Sequence, residues 1–175
     1  FAADGKPLKK KDLAMMAMSY GYVYVAQVAM GANDAQTLKA FVEAEAYDGP
    51  SIIIAYSHCI AHGIDMTTAL GGHETAVKSG HWPLFRYNPN LAKDGQNPFS
   101  LDSKEPTISF KEFAVPQGRF GMLVRSNPER AEGLFAQAQQ DVKEKWSRYK
   151  ALKAQWPSGK QLPAEQGDID SAQHA

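Results

Sequence analysis

The spacing of apolar positions changes several times along the chain, and each change marks an expected element. Leu13, Met15, Met16 and Met18 follow Asp12, a good N-cap, and predict a short helix that stops at Tyr20-Gly21. Tyr22 to Met30 is apolar at nearly every position and rich in valine and tyrosine, which predicts a strand buried on both faces. Gly31-Ala32-Asn33 turns the chain, and Asn33 with Gln36 three residues later resembles a capping box. Leu38, Phe41 and Val42 then repeat at helical spacing to Ala46, with Lys39 and Glu43 as an exposed pair worth roughly 0.2–0.5 kcal/mol. Asp48-Gly49-Pro50 stops this helix, and the β-branched run from Ser51 to Tyr56 predicts a second strand. Strand, helix and strand in close succession make a βαβ unit with parallel neighbouring strands, so the fold class is α/β. Ile52, Ile53 and Ile54 cannot share one face, because side chains alternate along a strand. Both faces therefore need cover, from helices on either side or from a neighbouring domain.

Beyond the second strand the pattern weakens. Asp65 to Ser79 is interrupted by Gly71-Gly72, so a helix is expected only from His73 to Ser79, with Gly80 as its stop. His81 to Pro89 alternates, predicting a strand that Pro83 pushes toward an edge or confines to its first residue. Asn88 to Pro98 is turn-rich, Leu101 to Pro106 is loop-like, and the alternation from Ile108 to Phe113 is a modest strand signal. Asn127-Pro128-Glu129 is a strong helix start. The stripe after it, Ala131, Leu134, Phe135, Ala138, Val142, Trp146, Tyr149 and Leu152, predicts one long amphipathic helix ended by Pro157 and Gly159. From Ser158 to Ala175 the composition is polar, and a disordered tail is expected. Residues 1–157 then form one domain and 158–175 its tail.

Composition adds exclusions. With 175 residues, 43% of them hydrophobic, the chain can bury one ordinary core. Nineteen lysines and arginines against nineteen aspartates and glutamates give no support to a nucleic acid or an acidic membrane as partner. Ser19, Gly21 and Gln27 interrupt the apolar stretch from Leu13 to Met30, which reads as buried protein and not as a membrane span. Lys9-Lys10-Lys11 reads as a solvated connector, and Lys111 and Arg125 as ordinary surface charges. The single cysteine cannot form an internal disulfide, which fits the cytoplasm. The chain begins at Phe1 and not at methionine, and a piece of a longer polypeptide is expected.

Cys59 is the principal candidate for chemistry. It follows the isoleucine run within Ser57-His58-Cys59-Ile60-Ala61-His62-Gly63, where an α/β sheet presents its ligand-binding end. A lone cysteine is also a small buried hydrophobe in many proteins, and that reading stands beside the functional one. A zinc site on Cys59 and His62 needs two more ligands, to be found among His58, His73, His81, His174 or carboxylates with no recognisable pairing. A nucleophilic pair of Cys59 with His62 or His81 needs a proximity that spacing does not establish, and His58, as the adjacent strand residue, is expected on the opposite face. Phosphate-binding glycine loops and dinucleotide fingerprints are absent from the sequence.

Several long runs carry a resemblance: Lys11 to Asn33, Ala44 to Gly63, Trp82-Pro-Leu-Phe-Arg-Tyr-Asn-Pro89 and Asn97-Pro-Phe-Ser-Leu-Asp-Ser-Lys-Glu-Pro106. Together they resemble the carboxyl-terminal part of the pyruvate:ferredoxin (flavodoxin) oxidoreductases, over about Phe1 to Gln155. The resemblance implies an enzyme that uses thiamine diphosphate and Mg2+ to decarboxylate pyruvate oxidatively. It transfers the acetyl group to coenzyme A and sends electrons singly through 4Fe-4S clusters to ferredoxin or flavodoxin, and the family suggests a homodimer. It also implies that residues 1–157 are the carboxyl-terminal portion of a parallel-sheet, thiamine-diphosphate-binding domain. In that family the cluster nearest thiamine takes three cysteines from earlier in the chain and a fourth in the motif matched by Ser57-His58-Cys59-Ile60, so Cys59 is the implied metal ligand. The family's Gly-Asp-Gly segment, its other cluster cysteines and its catalytic residues have no counterpart here. The isolated chain is accordingly expected to be inactive and to depend on the rest of the parent enzyme. The alternative is a non-catalytic α/β scaffold that uses the helix from Pro128 to Gln155 for docking.

Overall fold

The structure, a computed structural model, describes residues 8–154; the expected helix stop at Pro157, the tail from Ser158 to Ala175 and His174 lie outside them. Asp12 caps α1 (Leu13–Met18), its carboxylate accepting from the Met15 amide at 3.1 Å. β1 (Tyr24–Val28) is buried at all five positions. Asn33 caps α2 (Asp34–Ala46) through the Gln36 amide at 2.9 Å. The Gln36 side chain does not close a reciprocal box and reaches the Gln27 carbonyl and Asp102 instead. β2 (Ser51–Ala55) pairs in parallel with β1, as the βαβ pattern requires.

The sheet is mixed, in the order β2-β1-β3-β4, where β3 is Phe85–Tyr87 and β4 is Phe99–Leu101. β3 is antiparallel to both β1 and β4. It is an inner strand and not an edge, which Pro83 permits by lying ahead of the paired residues. Because β1 is inner, its run is covered twice. Val25 meets Ala14, Ala17, Phe85 and Tyr149 on one face, and Tyr24, Ala26 and Val28 meet Ala40 of α2 on the other.

α3 (Ala69–Lys78) runs straight through Gly71-Gly72, correcting the expectation of a helix from His73 onward. A helical glycine costs about 1 kcal/mol relative to alanine, and burial of Ala69, His73 and Ala76 on one face offsets it. The turn-rich stretch contains a short helix, α4 (Pro89–Lys93). Ile108 to Phe113 is not a strand: Ser109 and Glu112 form a capping box that opens α5 (Phe110–Ala114). α6 (Gly118–Ser126) follows. Asn127 then caps the Arg130 amide at the start of α7 (Pro128–Ala154), which buries Ala131, Phe135, Val142, Trp146 and Tyr149. Its first half packs with α5 and α6 around Phe110, Phe113 and Leu123, and its second half meets the sheet at Phe85 and Phe99.

α2 is oriented against its apolar stripe. Gln36, Thr37 and Ala40 face the sheet, and Leu38, Phe41 and Val42 are exposed. Glu43 is no simple surface partner of Lys39, because it accepts from Tyr24 at 3.0 Å and pairs with Arg86, which also grips Asp102 through two contacts of 2.9 Å. β2 is an edge strand: Ile53 and Ile54 are half-buried on opposite faces, while Ile52 stays exposed. Among the described residues no helix is long and apolar enough to cross a membrane.

Candidate functional site

The end of β2 is tied to the sheet by one more bond, Tyr56 N–H to the Val28 carbonyl at 2.9 Å, and the same carbonyl accepts from the Trp82 indole at 2.9 Å. Beyond Tyr56 strand pairing ends. Residues 57–59 run free of the sheet, and alternation no longer separates neighbours, so His58 and Cys59 line one cleft and not opposite faces. The cleft has a volume of about 420 Å3 and is lined in addition by Phe113 and Gln117.

Cys59 is free and exposed, which corrects the buried-hydrophobe reading. Its carbonyl accepts from His62 N–H at 2.9 Å, opening a single 310 turn over Ile60–His62 that closes on Gly63 with φ of +66°. Gly63 needs that left-handed backbone, and it also lies against Gly118 at the start of α6. The Gly118 amide donates to the Gly63 carbonyl at 3.2 Å, and a Cβ on Gly118 would fall 2.9 Å from that oxygen. Two glycines therefore clamp the Cys59 turn onto the helical subdomain.

A second turn over Met66–Thr68 is capped by Asp65, whose carboxyl is held below its usual range by the Thr67 hydroxyl and amide. It leads directly into α3, which carries His73 into the interior at 4% exposure. His73 Nδ1 accepts from the Gly31 amide at 3.4 Å, and its Nε2 lies 2.9 Å from His58 Nδ1. Tyr56 packs edge-on to the His73 ring, with centroids 5.0 Å apart. Burial, and then the neighbouring His58, push the His73 pKa down. His62 also lines the cleft and is pushed down by burial and then by Arg119 and Lys10. His81 is elsewhere: it stacks on Phe113 at 5.0 Å, and burial pushes it down to about 3.

The structure thus brings Cys59, His58, His62 and, through His58, His73 to one cleft, and leaves His81 out of it. No hydrogen bond links the Cys59 thiol to a histidine side chain among the described residues, nor do three His, Cys, Asp or Glu side chains there form a group that could hold a metal. The sequence pairs the residues around Cys59 through proximity alone. The contact of His58 with His73 crosses fifteen residues and has no sequence signal.

No protein-family model matches the chain. Curated relatives do. A pyruvate-flavodoxin oxidoreductase of Nostoc sp. is 57% identical over 152 residues, 87% of this chain and 13% of that protein. The chain is homologous to a segment of the pyruvate:flavodoxin and pyruvate:ferredoxin oxidoreductases. A pyruvate:ferredoxin oxidoreductase of Moorella thermoacetica is likewise 57% identical over 87% of the chain and 13% of its own length. The mitochondrial pyruvate dehydrogenase [NADP(+)] of Euglena gracilis is 45% identical over 167 residues, 91% of the chain and 9% of that protein. The chain therefore spans about an eighth of the length of the first two relatives, and the electron acceptor in their names differs among the three.

Proposed function

We propose that this chain is the segment of a pyruvate:ferredoxin/flavodoxin oxidoreductase that brings one thiolate, Cys59, to a 4Fe-4S cluster shared with the rest of the enzyme. The reading rests above all on one observation. The only thiol of the chain is exposed on a cleft wall at the end of a strand, free of any disulfide, within a segment homologous to these enzymes. The donor chemistry fits a single ligand. Thiolates are the usual holders of such clusters, four per cluster, and this chain offers one, so the other three belong to other segments of the enzyme.

When bound, the cluster supplies one-electron transfer. The chain's own part is positional. The Gly63–Gly118 clamp fixes the turn that carries Cys59, and Phe113 and Ile64 give the cleft apolar walls that limit water. The whole enzyme decarboxylates pyruvate with thiamine diphosphate and Mg2+, passes the acetyl group to coenzyme A, and delivers electrons to ferredoxin or flavodoxin as a cytoplasmic homodimer. Residues 1–157 act as the carboxyl-terminal portion of its thiamine-diphosphate-binding domain, and the catalytic residues lie outside this chain. Against the scaffold alternative, the apolar stripe of α7 packs on Phe85, Phe99, Phe110 and Phe113 of its own fold.

The test is reconstitution of the purified chain with iron, sulfide, thiamine diphosphate and Mg2+. No pyruvate- and coenzyme-A-dependent reduction of a viologen dye is expected; sustained turnover would overturn the reading of a dependent segment.

A further inference from the structure

His73 is a buried polar side chain with both ring nitrogens engaged, and its contacts leave one proton arrangement. The Gly31 backbone N–H can only donate, so His73 Nδ1 is the acceptor and carries no proton. The proton of neutral His73 then sits on Nε2, where it is donated across 2.9 Å to His58 Nδ1. With Nδ1 occupied as an acceptor, neutral His58 carries its own proton on Nε2. That N–H has no protein partner among the described residues, and His58 lines the cleft that holds Cys59. The relay starts from a fixed point, because a Cβ on Gly31 would lie 2.6 Å from the Leu70 carbonyl and the turn must press against the start of α3. Tyr56 holds the His73 ring from the side.

We propose that His73 is a positioning residue which, through this relay from the Gly31 amide, orients His58 with its Nδ1 engaged and its Nε2–H as a hydrogen-bond donor for electron-rich sulfur held at Cys59. The ligand class is sulfide or thiolate sulfur of an iron–sulfur cluster, and this inference rests on the reading of Cys59 given above. A donor at such sulfur stabilises the added negative charge of the reduced state and raises the reduction potential. Neither histidine ligates the metal in this arrangement, so removing either leaves iron content unchanged.

The test uses the full-length oxidoreductase, with iron content and the potential of the cluster nearest thiamine as readouts. His58→Phe and His73→Phe are each expected to move that potential to a more negative value at unchanged iron content, and the double variant to move it no further than His58→Phe alone. His73→Gln keeps an acceptor for Gly31 and a donor for His58, and is expected to restore the potential. A His73→Phe potential equal to the unsubstituted one, or a His73→Gln value no better than that of His73→Phe, would overturn the relay. A second arm needs no cluster: long-range 1H–15N spectra of the 175-residue chain are expected to show both His58 and His73 unprotonated at Nδ1, and protonated Nδ1 at either would contradict it. Cys59→Ser separates the two claims. If it leaves both the iron content and the cluster spectrum unchanged, the ligand reading itself has failed; if it removes or alters the cluster signal while the histidine variants shift nothing, only the relay has.

Discussion

β1 and β2 are both read from continuous apolar runs, yet the fold treats them differently. β1 lies between two strands with helices on both faces, and every one of its residues is buried. β2 carries three successive isoleucines and ends the sheet, with Ile52 still 37% exposed and Leu38, Phe41 and Val42 bare on the neighbouring helix. The contrast separates two jobs. The β1 side, with β3, β4 and α7, is a finished core, whereas the β2 side carries Cys59 into the cleft beside apolar surface left uncovered. The candidate segment around Cys59 hangs from the less covered strand.

The sharpest way to break this contrast is to attack the finished side. Phe85→Ala removes a fully buried ring that touches Phe99 and Tyr149, and is expected to cost about 3–5 kcal/mol in urea unfolding of the chain. Arg86→Ala is expected to cost a similar amount, roughly 3–5 kcal/mol, by leaving Asp102 and Glu43 without their shared cation. Costs under about 1 kcal/mol for both would mean that this side is no more tightly packed than the other.

Much of the finished side is legible in the sequence. Asp12, Asn33 and Asn127 cap where the residue types suggest, and the β1–α2–β2 unit follows from the change of period. What escapes has physical causes. The alternation from Ile108 to Phe113 masks a five-residue helix, although Ser109 and Glu112, three apart, already spell its cap. Gly71-Gly72 looks like a break because propensity is local, while the burial of Ala69, His73 and Ala76 that keeps the helix intact is a tertiary effect. The outward turn of Leu38, Phe41 and Val42 is set by Ala40 and Thr37 fitting the sheet closely, which periodicity does not register. At the site, the position of Cys59 after the isoleucines is readable, but its sharing of a cleft with His58 depends on the strand ending at Ala55.

Intermediate effects sharpen the comparison at its seam. Gly31→Ala drives a methyl group toward the Leu70 carbonyl and is expected to cost about 1–3 kcal/mol, read by the same unfolding midpoints. Acid acts through His81. Above pH 6.5 both folded and unfolded states hold it neutral; as pH falls toward 3 only the unfolded state takes the proton, so stability drops by at most about 1.4 kcal/mol per unit. His62 and His73, also pushed down, act in the same direction. Urea midpoints should therefore fall between pH 6.5 and about 5, and the slope should flatten in His81→Gln; an unchanged slope in that variant would remove His81 as its cause.

The smallest effect is on the unfinished side. Ile52→Ala is expected to cost about 1 kcal/mol or less in this chain, because the side chain already meets solvent. A loss as large as that of Phe85→Ala would show that β2 is packed as firmly as β1.

The central claim, that the exposed thiol on this less finished side is one ligand of a shared cluster, is tested most directly by iron analysis and low-temperature electron paramagnetic resonance of the full-length oxidoreductase carrying Cys59→Ser. The expected result is a folded enzyme in which the iron content falls or the signal of one 4Fe-4S cluster is lost or altered, with the other clusters unchanged. Unsubstituted-like iron content together with an unaltered spectrum would contradict it.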